Sequence, residues 1–157
     1  VLLFSAEVCG KAEEALTFYQ SVFPDSVPGY FNHYAPGEAQ DPRAKTNYAE
    51  MTLLGFQFVA MDHGFGGEEP FNEAFSFMVL CRDQAEIDYY WEKLSAVPEA
   101  EQCGWLKDKF GLSWQIVPEQ LSEMLSSATP EEAQRITDAF LSMKKLDITA
   151  LEKARLG

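Results

Sequence analysis

The chain has 157 residues, 46% of them hydrophobic, with 12 Phe, 6 Tyr and 3 Trp available to fill a core. That length suits one domain, 1–157, able to bury roughly 68–70% of its unfolded surface without a metal or disulfide staple. A net charge of −13, spread along the sequence, argues against nucleic acid or an anionic membrane as partners, since both require a basic surface. No apolar run approaches the roughly 20 residues of a membrane span.

Val1–Val8 is expected as a strand. Lys11–Phe23 follows as an amphipathic helix, with Ala12, Ala15, Leu16, Tyr19 and Phe23 on one stripe, and Pro24 ends it. Val27–Tyr34 is expected as a strand and Ala35–Lys45 as a loop. Asn47–Leu54 and Gln57–Met61 form a hairpin with Gly55 in the turn. A glycine-containing loop, His63–Pro70, separates this half from a second one.

The order then restarts. Phe75–Cys81 is a strand. Asp83–Ala96 is a helix with Asp83 at the N-cap and Glu86 three residues on, completing a capping box. Glu101–Lys107 holds one or two short strands and Leu112–Val117 another. Pro118–Ser126 is a short helix with Pro118 in its first turn. Thr129-Pro130-Glu131-Glu132 starts the next helix, and Asp147 caps the last. These tail helices keep an apolar stripe, so they must pack on the body or on a second subunit.

The cysteines, Cys9, Cys81 and Cys103, are odd in number and far apart. That argues against a disulfide framework or a thiolate zinc site, and suits a reducing, cytoplasmic setting.

Several segments resemble a known family. They are Gly10-Lys11-Ala12-Glu13-Glu14-Ala15 running to Phe18-Tyr19, Phe71-Asn72-Glu73-Ala74, and Ile87-Asp88-Tyr89-Tyr90-Trp91-Glu92-Lys93-Leu94. The most specific is Gln102-Cys103-Gly104-Trp105-Leu106-Lys107-Asp108-Lys109-Phe110-Gly111, continued by Ser113-Trp114-Gln115-Ile116-Val117-Pro118. In these the chain resembles the PhnB-like branch of the glyoxalase/bleomycin-resistance/dioxygenase (vicinal oxygen chelate) superfamily. The resemblance implies an α+β fold of two βαβββ modules, about 1–62 and about 74–117, forming a curled mixed sheet around a pocket, with a helical tail over 118–157. It also implies a homodimer and a small organic ligand.

Some members of the superfamily hold a divalent metal through His and Glu on the first and last strands of each module. Matched position by position, those places carry Phe4 (beside Leu3 and Ser5), Glu50, a position near Ala74, and Gln115. A transition metal requires three or more converging N, O or S donors, so no metal site and no cofactor are expected. Members are often labelled demethylubiquinone methyltransferases, but no strand-plus-glycine loop opens a helix here as an adenosyl cofactor site would require.

Strand alternation places Tyr48, Glu50 and Thr52 on one face, Ser113 and Gln115 on another, Ser76 and Met78 on a third, and Ser5 and Glu7 on the first strand. In an ordinary half-exposed sheet these faces meet solvent; the resemblance implies instead that they line a pocket made of Glu7, Tyr48, Glu50, Ser76 and Gln115, with Trp105 as an aromatic wall. Either this pocket binds a small molecule without transforming it, or Glu50 serves an isomerase-, lyase- or oxygenase-type enzyme as base or metal ligand.

Overall fold

Strand β1 (Leu2–Phe4) is shorter than its apolar run suggests, in the computed structural model that describes residues 1–157. Ala6 takes a left-handed backbone angle, φ 49°, and turns the chain into a single 3-10 turn, Ala6–Val8. The amide of Ala6 donates to the Gly67 carbonyl at 3.1 Å, and the Ser5 hydroxyl donates to the Glu69 carbonyl. The expected strand over Val1–Val8 is thus cut at Phe4, because the backbone donor after it is drawn to the mid-chain loop rather than to a neighbouring strand.

Helix α1 (Ala12–Val22) buries Ala12, Ala15, Leu16 and Tyr19, as its spacing predicts, together with Val22, and Phe23, the last residue of the expected stripe, is buried just past the helix end. Lys11 at its N-cap offers no side-chain acceptor. A distant carboxylate fills that role. Asp62 Oδ1 accepts from the amides of Gly10 (2.9 Å) and Ala12 (3.1 Å), while Oδ2 accepts from Lys45 (3.0 Å) and Thr46 (2.8 Å). Asp62 is buried, and its four bonds satisfy backbone donors that burial would otherwise penalise.

The first unit, Val1–Phe71, is completed by β2 (Val27–His33), β3 (Thr46–Leu53) and β4 (Phe56–Asp62). Its sheet runs β1-β4-β3-β2, with β1 parallel to β4 and the other pairs antiparallel. Leu54 and Gly55 turn the β3–β4 hairpin with φ 47° and 82°, as a two-residue turn requires. Ala49, Met51 and Leu53 are buried, and Tyr48, Glu50 and Thr52 occupy the open face, as alternation predicts.

The second unit, Asn72–Gly157, repeats the plan with one strand fewer. It contains β5 (Ser76–Cys81), α2 (Gln84–Leu94), β6 (Trp105–Lys107) and β7 (Ser113–Pro118), in sheet order β5-β7-β6. Again the first and last strands pair in parallel. The fourth strand is reduced to one bridge, Gln102 to Trp105. Asp83 caps α2 by accepting from the Glu86 amide at 2.9 Å, but Glu86 accepts from the Arg82 amide at 2.8 Å rather than from Asp83. The capping box is therefore half formed, with its return bond shifted one residue upstream. Asp108, fully buried, accepts from the amides of Phe110 (2.8 Å) and Leu112 (3.1 Å) and from Trp114 Nε1 (2.8 Å), closing the β6–β7 connection.

The tail folds onto this second unit. It comprises α3 (Gln120–Ser126), α4 (Pro130–Ser142) and α5 (Ile148–Leu156). Pro118 ends β7 opposite Cys81 instead of opening α3; at a strand end its missing N–H costs no ladder bond. Thr129 and Glu132 form the full capping box, and Asp147 accepts from the Ala150 amide. Met124, Ile136 and Leu151 make a small core of their own. The body holds the tail by backbone bonds, from Cys103 to the Met143 carbonyl and from Gly104 to the Lys144 carbonyl, both 2.8 Å. Gln84 adds two more, donating to the Leu146 carbonyl at 3.1 Å and accepting from the Ile148 amide at 2.9 Å.

Candidate functional site

In the first unit the open sheet face brings Tyr48 and Glu50 together. The Tyr48 hydroxyl donates to Glu50 Oε1 at 2.8 Å, and this bond, with burial adding to it, raises the phenol above its usual pKa. Strand β2 bulges between Pro28 and Phe31. There Gly29 lies so close to Glu50 that a Cβ on it would stand 2.7 Å from the Glu50 Cβ. The absent side chain at residue 29 lets the edge strand press against the backbone of Glu50. The ring of Tyr30 lies 6.2 Å from that of Tyr48. Glu7 stands exposed on the 3-10 turn after β1, not on a strand face. The shared face with Ser5 that alternation suggests does not form, because Ala6 breaks the strand.

In the second unit the register aligns two rows across the sheet. Met78 pairs with Gln115 and Gln115 with Trp105; Ser76 pairs with Ser113 and Ser113 with Lys107. Gln115 Nε2 donates to Ser76 Oγ at 2.9 Å. Met78, Trp105, Lys107, Ser113 and Gln115 of these rows form one wall of a cavity of about 740 Å3, within the range of ligand pockets. Trp105 and Gln115 line it, joined by Met78 and Val117 from the strands. Leu121 of α3, Phe140 and Leu141 of α4, and Leu146 supply further lining. At one side Lys107 Nζ meets Glu73 Oε1 at 2.5 Å, which holds the Glu73 carboxyl below its usual range.

The residue sequence reasoning missed is Ser113. It is 1% exposed, lines the cavity, and its Oγ has no hydrogen-bond partner. Its place on the Gln115 face was readable from alternation; the loss of a partner depends on packing. The tail residues Leu121 and Phe140 were also missed, since nothing local says which surface a terminal helix will cover.

The structure therefore groups the expected pocket residues as two sets, Tyr48 with Glu50 in the first unit and Ser76, Trp105 and Gln115 in the second. The donor set does not fit a divalent metal. No three His, Cys, Asp or Glu side chains come together. His33 pairs with Glu13 at 3.2 Å, and His63 Nδ1 accepts from the amides of Phe65 and Gly67. That second pair of bonds folds the glycine loop on itself. No helix follows it before β5, so it lacks the helix N-terminus that cradles the anionic groups of nucleotide-type cofactors.

Residues 1–117 match the family model described as 3-demethylubiquinone-9 3-methyltransferase. No curated protein matches the chain. Among solved structures, a Bacillus cereus PhnB protein, described as a putative 3-demethylubiquinone-9 3-methyltransferase, is similar at 31% identity and TM-score 0.61. The match covers 74% of this chain and 95% of that one. A Pseudomonas aeruginosa protein shares the fold at 19% identity and TM-score 0.58, covering 75% and 93%. The parallel pairing of first and last strands in each unit, the residues matched and the identity to the Bacillus protein agree: the chain belongs to the PhnB-like family of the glyoxalase/bleomycin-resistance/dioxygenase superfamily.

Proposed function

We propose that this chain binds a small organic molecule in the cavity of its second unit, without a tightly held metal. The observation that carries the reading is a mainly apolar chamber with a few placed polar groups, Gln102, Ser113 and Gln115, the last held by Ser76 behind it, the composition expected of a ligand pocket. The want of three converging metal donors supports the metal-free part. Elemental analysis of untagged protein, followed by thermal melts with nickel, zinc, manganese and iron(II), tests it. The expected result is no stoichiometric metal and no melting shift that a chelator reverses. A bound metal at one per chain would refute it.

A second reading makes the chain an isomerase-, lyase- or oxygenase-type enzyme with Glu50 as base or metal ligand. The Tyr48 hydroxyl donates to Glu50 and fixes the direction of its carboxylate on the open face; a Glu50 held this way orients a ligand under the first reading and acts on it only under the second. Glu50→Gln keeps the shape and removes the base. Under this reading turnover of any substrate falls at least about a hundredfold; unchanged turnover would leave Glu50 a positioning group.

Assembly as a homodimer and a cytoplasmic setting belong to the same proposal. Exposed Val27, Tyr30 and Phe56 in the first unit offer apolar surface for a second copy, and all three cysteines are free thiols. Light scattering on the eluting protein should give twice the chain mass of 17.7 kDa.

A further inference from the structure

The geometry points to a neutral, mainly apolar ligand with a single hydroxyl or carbonyl end, held by Ser113 and Gln115 on the sheet wall and by the tail helices on the other. This rests on the reading of the second-unit cavity as the binding site.

The charges in the lining are already paired: Lys107 and Glu73 meet at 2.5 Å. An anionic ligand would have to take Lys107 from Glu73, and a cationic one Glu73 from Lys107. Lys107 is 24% exposed and Glu73 62% exposed, so a charged guest replaces one ion pair by another with little net gain, whereas a neutral guest leaves the pair intact.

A buried hydroxyl in the same lining is unpaired. Ser113 Oγ is buried, faces the cavity side of β7 and has no partner in the protein. Buried polar atoms almost always find one, and a hydroxyl both donates and accepts. One polar group on a ligand completes it. Two residues along on the same face, Gln115 has its amide nitrogen committed to Ser76, which fixes the plane of the amide. The polar end of the ligand thus meets oriented groups rather than mobile ones.

The lining is also divided along the chain. Ser113 and Gln115 lie within residues 1–117, which the family model matches, whereas Leu121 and Phe140 lie in the tail beyond it. The strands within the matched span supply the polar contacts, and the helices beyond it supply much of the apolar surface. The tail is fixed to that wall at Gly104, where φ is +84° and an added Cβ would stand 3.0 Å from the Ile116 carbonyl and 3.2 Å from Leu146.

Three probes with one apolar body separate the possibilities: naphthalene, 2-naphthol and 2-naphthoate, titrated at neutral pH with ligand-observed NMR. 2-Naphthol should bind about tenfold tighter than either of the others, the discrimination expected when one hydrogen bond to a buried group is made or missed. Ser113→Ala should bring 2-naphthol to within about twofold of naphthalene and leave naphthalene unchanged. Phe140→Ala should weaken naphthalene and 2-naphthol alike. Preference for 2-naphthoate, or equal binding of 2-naphthol and naphthalene by the unaltered protein, would overturn the ligand class while leaving the cavity as a site. Failure of all three probes to bind would overturn the ligand class together with the cavity reading beneath it.

Discussion

Asp41, Asp62 and Asp108 are acidic residues that the fold buries, and each is spent on local structure. Asp41 meets Arg43 in a fork, with Arg43 Nη2 at 2.7 Å from Oδ2 and Nε at 3.0 Å from Oδ1. Hydrogen bonds from the Arg43 side chain and then its backbone amide lower the carboxyl to about 2. The folded-state value lies below the unfolded one near 3.8, so the pair contributes stability above about pH 4, lost as pH falls toward 2. Asp41→Asn should flatten the pH dependence of urea unfolding over that window and leave it unchanged near neutrality. Asp108→Ala strands three buried donors, among them Trp114 Nε1, and should cost about 3 kcal/mol or more in the same assay. Ser113→Ala runs the other way. It deletes a hydroxyl that has no partner, so stability should rise by about 1 kcal/mol while binding of a polar-ended probe weakens. A site that is less stable than its apolar substitute is what a binding role for Ser113 requires.

At the scale of elements, period and capping carried most of the information. The buried sets on α1 and β3 follow from 3.6- and 2-residue spacing, and the capping box at Thr129 and Glu132 forms as written in the sequence. Thr129→Ala should destabilise the tail by about 1 kcal/mol, measured as faster amide exchange in α4. Three features were hidden, each decided by a partner far along the chain. Strand β1 stops because Gly67 accepts the Ala6 amide. Helix α1 is capped by Asp62, 50 residues after Ala12. Pro118 stays in β7 because it pairs with Cys81. The strand faces of the expected site residues were legible in the same measure. Tyr48, Glu50, Ser76 and Gln115 sit on the faces that alternation assigns, whereas Glu7 does not, since Ala6 interrupts the alternation it relied on.

For the whole molecule, the two units repeat one plan, a parallel pair of first and last strands with antiparallel neighbours. The first unit has a fourth strand; the second has a bridge in that place and a helical tail packed on its body. The chamber of the second unit is proposed to take a small organic molecule and to need no metal for it. The measurement that tests it most directly is a two-dimensional amide spectrum of the full chain, titrated with 2-naphthol in the presence of a chelator. Binding in the chamber is expected to give saturable shifts centred on the Trp105 indole and the Gln115 side-chain amide. No shift at those two groups, or shifts that appear only when a divalent ion replaces the chelator, would contradict it.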